Sequence, residues 1–195
     1  MSRQLSLPFP PDALPRVALG VCLGNRMVGV AVLTRERLLR AQVVGLRRLA
    51  REKRAGRLAR VTRALTERFG PSRIAVVQLA GVRDDVVALD PEAVVAAATP
   101  TPTVTRYRAP DVRIALAQEG THPTNRAVAH LLAERFPELA RHAPEPAPSV
   151  EPTNGPWVPR RKYPTPKDRY YVRLFLAVAV ALHDLEEELK TRLAA

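Results

Sequence analysis

The sequence has a single cysteine, Cys22. One thiol excludes an internal disulfide and any zinc site built from several cysteines, and it fits a reducing compartment. Long apolar runs are also missing. The longest, Leu174–Leu182, falls far short of the about 20 residues that cross a bilayer. Met1–Leu14 has three prolines and no continuous apolar core, so no signal peptide is read there. The expectation is a soluble, cytoplasmic protein with no membrane partner. Acidic side chains are scarce: 19 Asp plus Glu stand against 31 Lys plus Arg, a formal net charge of +12. Such an excess favours a polyanionic partner, because each phosphate neutralised by a cation releases counterions. Coding bias toward Arg, Ala and Pro is the plainer source of the same excess. What is there is otherwise globular: 195 residues, 46% hydrophobic and 26% charged, enough for one domain with a proper core.

Residues 1–15 read as an extended, Pro-punctuated arm. Two Val- and Leu-rich runs follow, Arg16–Cys22 and Met27–Leu33, joined by a tight turn in which Gly24-Asn25 supplies positive φ. Leu38–Leu46 reads as a third strand, so the chain opens as an antiparallel meander. Arg47–Phe69 then shows Leu58, Val61, Leu65 and Phe69 at helical spacing, stopped by Gly70-Pro71. Outside that stripe the helix is strongly basic, with only Glu52 and Glu67 to oppose it. A solvated helix face and a phosphate-contacting surface both fit it. The continuous apolar run Arg73–Leu79 reads as a central parallel strand, which requires a right-handed crossover. Asp84, Asp85 and Asp90 lie in the loop after it, Pro91–Ala98 reads as a short helix, and Thr103–Tyr107 as a fifth strand.

The second half continues in α/β style. Ala109–Leu116 reads as a helix, Gly120 as a break, and Thr121 or Thr124 as the cap of a helix reaching Arg135. Residues 141–167 are Pro-rich and extended, with Arg160, Arg161 and Lys162 between Trp157 and Tyr163. A basic cluster with flanking aromatics suits stacking on unpaired bases, and a surface-tacked linker suits the same residues. Asp168–Leu193 reads as the closing helix, apolar through Leu182 and charged from Asp184 on, so that its second half extends past the sheet or meets a partner.

The hairpin Gly20-Val21-Cys22-Leu23-Gly24-Asn25-Arg26, together with Pro110-Asp111-Val112-Arg113, Gly120 and the capped helix, resembles the RuvC-like branch of the RNase H fold. A related branch, putative nucleases of ribosomal RNA maturation, shares only the opening hairpin. The resemblance covers roughly residues 16–136 and 168–185. It implies an α/β, RNase H-like fold: a five-stranded mixed sheet, three antiparallel strands first, with helices on both faces. The implied organisation is an arm at 1–15, the domain at 16–140 and 168–195, and a Pro-rich basic insertion at 141–167.

The family's activity is two-metal nucleic-acid cleavage, with Mg²⁺ ions about 4 Å apart held by carboxylates. Those carboxylates come from the first strand, the fourth strand and the last helix. By this resemblance their places are taken here by Cys22, Val77, Tyr171 and Leu174, none of which is a comparable ligand. Asp84 and Asp85 are the fallback acids, with Asp111, Glu119 and Asp168 behind them. His122, His130, His142 and His183 form no metal-ligand spacing with Cys22, which reads as a buried core thiol.

The expectation is therefore a RuvC-like pseudonuclease that binds branched or structured nucleic acid without cutting it and needs no cofactor. DNA is favoured over RNA. The contact residues are Arg51, Arg54, Arg57, Arg113, Arg160, Arg161 and Lys162, with Arg113 at the place of a family lysine. Homodimerisation is implied by the resemblance alone. Two alternatives stay open: a divergent Mg²⁺-dependent junction endonuclease with relocated carboxylates, and a structural subunit of a larger assembly.

Overall fold

A computed structural model describes residues 16–24, 26–46, 49, 51–79, 102–117, 124–144 and 166–194. The expected arm at 1–15, the Pro91–Ala98 helix, the acids Asp84, Asp85 and Asp90, and the cluster Arg160, Arg161 and Lys162 lie outside these residues. So do Thr121, His122 and Glu119, and with them most of the Pro-rich segment.

Five strands form one mixed sheet: β1 (Ala18–Leu23), β2 (Met27–Leu33), β3 (Leu38–Gly45), β4 (Arg73–Gln78) and β5 (Thr103–Arg108), in the order β3-β2-β1-β4-β5. β1 pairs antiparallel with β2, and β2 with β3; β4 runs parallel to both β1 and β5. This is the expected five-stranded mixed sheet. β1 is central, and its residues are buried on both faces, which is why its sequence is continuously apolar rather than alternating. β1 begins at Ala18 instead of Arg16, although the Ser72 N–H still donates to the Val17 carbonyl at 3.1 Å and carries the β1–β4 register one residue further.

The two faces of the sheet are covered by different helices. Helix α1 (Arg51–Phe69) lies on one, where Leu58 and Leu65 pack with Leu19, Val21, Ile74 and Val76. Burying a leucine such as Leu58 fully contributes about 1.5–3 kcal/mol. α1 starts at Arg51 rather than at Arg47, since the Leu49 N–H closes a turn on the carbonyl of buried Leu46 (3.1 Å). It ends at Gly70, whose φ of 54° suits a residue without a Cβ and whose N–H bonds the Thr66 carbonyl at 2.9 Å.

The other face carries α2 (Ala109–Leu116), α3 (Asn125–Arg135), a 3₁₀ helix (Pro137–His142) and the long α4 (Pro166–Ala194). Arg141 and His142 thus belong to a 3₁₀ helix, not to the extended segment expected of them, and Pro166 and Lys167 belong to α4. Thr124 caps α3, its hydroxyl oxygen accepting from the Ala127 N–H at 3.1 Å. α4 crosses β1 and β2 closely. A Cβ on Gly20 would overlap the Ala177 carbonyl, and one on Gly29 would overlap the Arg173 carbonyl. Glycine here serves close approach rather than turning. Asp184 and Leu185 are buried, so the charged half of α4 does not leave the sheet at Asp184; residues 190–194 are the exposed part.

Candidate nucleic-acid interface and the carboxyl edge of the sheet

The parallel register sets one edge of the sheet level. Leu23 faces Gln78 and Gln78 faces Arg108, so β1, β4 and β5 end side by side. One residue inside that edge, Cys22 lies between Gly29 and Val77. Cys22, Val77 and Leu174 share one buried cluster beneath α4, and Tyr171 packs against it partly buried. Cys22 and Val77 are thus ladder partners, while Leu174 and Tyr171 lie on α4, which packs on the same face of the sheet.

Their chemistry is apolar. Burial pushes the Cys22 thiol up to about 12, only partly opposed by the positive charge of Arg173, so the sulfur is a neutral thiol at pH 7. Val77 and Leu174 are aliphatic and buried. The Tyr171 ring rests on Tyr170 (5.5 Å between centroids) and on His142 (5.8 Å). Desolvation, helped by the Arg141 charge, lowers the pKa of His142 and favours its neutral form.

Beside them the Arg173 guanidinium reaches along the α4 face to the tip of the β1–β2 hairpin. Its Nε donates to the Met27 carbonyl at 3.1 Å, and a Cβ on Gly24 would run into its guanidinium. A divalent hard cation needs several anionic or carbonyl oxygens. A protonated thiol, two aliphatic side chains, a phenol and a guanidinium do not fit one. Among the described residues, no three His, Cys, Asp or Glu side chains cluster in a way that could hold a metal.

The candidate contact residues do not share one face. Arg51, Arg54 and Arg57 lie on α1, and Arg113 lies on α2 across the sheet. Arg57 is exposed. Arg54 is half-buried, and its Nε donates to the Leu49 carbonyl at 3.1 Å. Arg113 is also half-buried: Nη1 reaches the Asn125 side-chain oxygen at 3.5 Å, and its buried Nε has no partner. It links α2 to the start of α3.

Sequence reasoning missed a buried polar cluster at the opposite end of β4. Asp184, with no exposed surface, accepts from Arg73 Nε at 2.5 Å and Nη2 at 2.9 Å, and from the Tyr107 hydroxyl at 2.7 Å. The His183 ring meets Tyr107 edge-on at 4.8 Å. The hydrogen bond to Asp184 raises the Arg73 pKa, while burial, reinforced by Asp184, raises that of Tyr107. One signal was available. Asp184 falls four and seven residues after Val180 and Ala177, on the apolar stripe of α4.

No protein-family model matches this sequence, and no curated protein sequence matches it either. Solved structures do. Thermus thermophilus RuvC superposes with a TM-score of 0.61 at 23% identity, covering 90% of this chain and 97% of that one. The same protein in complex with a Holliday junction substrate gives 0.59 over the same shares. The yeast mitochondrial Holliday junction resolvase gives 0.56 at 14% identity, over 92% of this chain and 84% of that one. The fold is thus that of the RuvC-type resolvases, as expected from the order of elements.

Proposed function

We propose that this protein is a RuvC-like binder of branched or structured nucleic acid that does not cut it. The observation that carries the reading is the carboxyl edge of the sheet. Where a resolvase of this fold would need anionic oxygens for two metal ions, this chain has a buried neutral thiol, Val77 and Leu174, with an arginine beside them. The net charge of +12 supports a polyanionic partner, and the full-length likeness to a resolvase solved with its junction supports a branched one. Arg57 and the neighbouring exposed Arg60 and Arg63 of α1 offer phosphate contacts, with Arg160, Arg161 and Lys162 as further candidates. No metal is assigned a role.

The test is a binding titration against four-way junction DNA, duplex DNA and structured RNA, with a Mg²⁺ and a Mn²⁺ cleavage lane beside each. Junction binding without products is the expected result. Cleavage that disappears in Asp84→Asn/Asp85→Asn would establish the divergent nuclease instead. Failure to bind all three ligands would leave the assembly subunit.

A further inference from the structure

The outward face of α1 is charged in a way that a merely solvated helix is not. Lys53, Arg57 and Arg60 recur at four- and three-residue spacing, which sets them in one line along the helix, and Arg63 flanks that line one turn on. All four side chains are exposed. Neighbours of like charge at these spacings repel, and interleaved acids ordinarily relieve the repulsion. Here Glu67, at the far end, is the one acid among the described side chains of α1. Arg60 Nε donates to the Gly56 carbonyl at 3.3 Å. Among the described residues, no hydrogen bond or ion pair holds Lys53, Arg57 or Arg63.

Two further features of this face bear on the kind of polyanion that suits it. Exposed Gly56 and Ala64 lie between the cations, and the space beyond Gly56 is open, so a backbone can approach the helix closely while the longer side chains reach around it. Apolar anchors are also missing. The large hydrophobic side chains exposed among the described residues are Leu39, Ile114 and Leu193, none of them on α1. A protein partner or an anionic membrane surface is engaged through buried aromatic or aliphatic anchors, whereas a phosphate backbone needs cations alone. From Lys53 to Arg63 the helix rises about 15 Å, the length of about four base pairs. The face lies across the sheet from α4 and the Cys22 cluster.

Resting on the nucleic-acid reading above, we propose that α1 is a duplex-gripping surface in its own right. Its stripe from Lys53 to Arg63 takes the phosphate backbone of an unbroken duplex, without reading sequence and without needing a branch point. When the ligand is a junction, the same stripe holds one arm.

The test uses the full chain, two unrelated linear duplexes of about 20 base pairs and a four-way junction, each titrated over a salt series. The two duplexes should bind wild-type protein within about twofold of each other, since phosphates carry no sequence. Lys53→Gln/Arg57→Gln/Arg60→Gln should lose about 2.7 from the slope of log K against log salt, about 0.9 for each contact removed. At about 100 mM salt it should bind duplex more than about tenfold more weakly. Arg57→Lys/Arg60→Lys keeps the charges and should keep the slope. Thermal melts without nucleic acid give a second readout. The wild-type melting temperature should rise with salt as the like charges are screened, and the triple variant should melt at or above wild type at low salt.

Failure of the wild-type chain to bind any of the three ligands removes the proposed function and the duplex grip together. Junction binding without duplex binding, a more than tenfold preference between the two duplexes, or an unchanged duplex slope in the triple variant overturns the grip alone. So does binding of poly-glutamate as tight as that of duplex, which would give the face to an acidic protein. A triple variant that melts below wild type at low salt would mean that the fold already uses these cations, and it overturns the grip as well.

Discussion

Asp184 is a carboxylate with no exposed surface on a helix face that is otherwise apolar. Its desolvation is offset by three hydrogen bonds, two from Arg73 and one from the Tyr107 hydroxyl. Truncating one member of a buried ion pair leaves the other charged and unpaired, which costs about 3–5 kcal/mol. Arg73 keeps some access to water (19% of its side chain), so Asp184→Asn belongs at the lower end, about 3 kcal/mol. Tyr107→Phe removes one bond to a charged acceptor and is expected to cost about 1.5–3 kcal/mol. Urea midpoints of the two variants and of the double variant give the coupling. A change below about 0.5 kcal/mol in Asp184→Asn would mean that this cluster does not fasten α4 to β4.

Cys22 makes a second prediction at this scale. Its pKa is about 12 in the folded chain, against 9.0 for an unperturbed thiol. Below pH 9 both states hold the proton, and the thiol adds no pH dependence. Above it the unfolded chain loses the proton first, so stability falls by about 1.4 kcal/mol per pH unit until the folded pKa is reached. Between pH 9 and 10.5 the wild-type protein should therefore lose about 1.5 kcal/mol relative to Cys22→Ala over the same range. Tyr107, raised by burial and by Asp184, acts in the same direction in both proteins and cancels in the comparison. Parallel stability curves for the two would show that the thiol is not buried as described.

Two glycines separate the roles of the elements. Gly20 of β1 lies under the α4 backbone, where a Cβ would overlap the Ala177 carbonyl, an atom that cannot move without moving the helix. Gly20→Ala is expected to destabilise by about 1–3 kcal/mol. Gly56 sits inside α1 with open space around it, so Gly56→Ala should stabilise by about 0.5–1 kcal/mol through helix propensity alone. Thermal melts of the two variants should move in opposite directions. Both moving down would place an unseen contact on the exposed face of α1. Elements of this kind were largely legible in the sequence, because apolar runs and the Leu58–Leu65 spacing are local signals. The ends were less so: how far β1 runs depends on its pairing with β4, a partner more than 50 residues away in the chain. The identity of the carboxyl-edge residues could be read by register, since β1 and β4 are short, apolar and parallel. Arg173 could not. Its place is set by where a long side chain reaches, and nothing in the sequence says that it will lie against Gly24. Asp184 was read as part of a charged, outward half of the helix, although the apolar stripe passes through it.

At the scale of the whole molecule the governing quantity is the charge of +12 and how it is divided. α1 carries its arginines on one side of the sheet, and Arg113 lies on the other. A ligand that meets one side engages few of them; a branched ligand that wraps the molecule engages more. The salt dependence of affinity distinguishes the two, because each phosphate neutralised on a duplex contributes about −0.9 to the slope. Contacts from Arg51, Arg54 and Arg57 alone give a slope of about −3, and raising salt from about 50 to 200 mM then weakens binding about 40-fold. Engaging all seven candidate residues gives a slope of about −6 and a loss of several thousandfold over the same range, roughly 10³–10⁴. A junction slope clearly steeper than the duplex slope is the expected result, since only the junction presents backbone to both sides of the sheet. Equal slopes near −3 would confine the interface to α1. A slope near zero would mean that the excess arginine has no polyanionic partner and that the basic helix face is simply solvated.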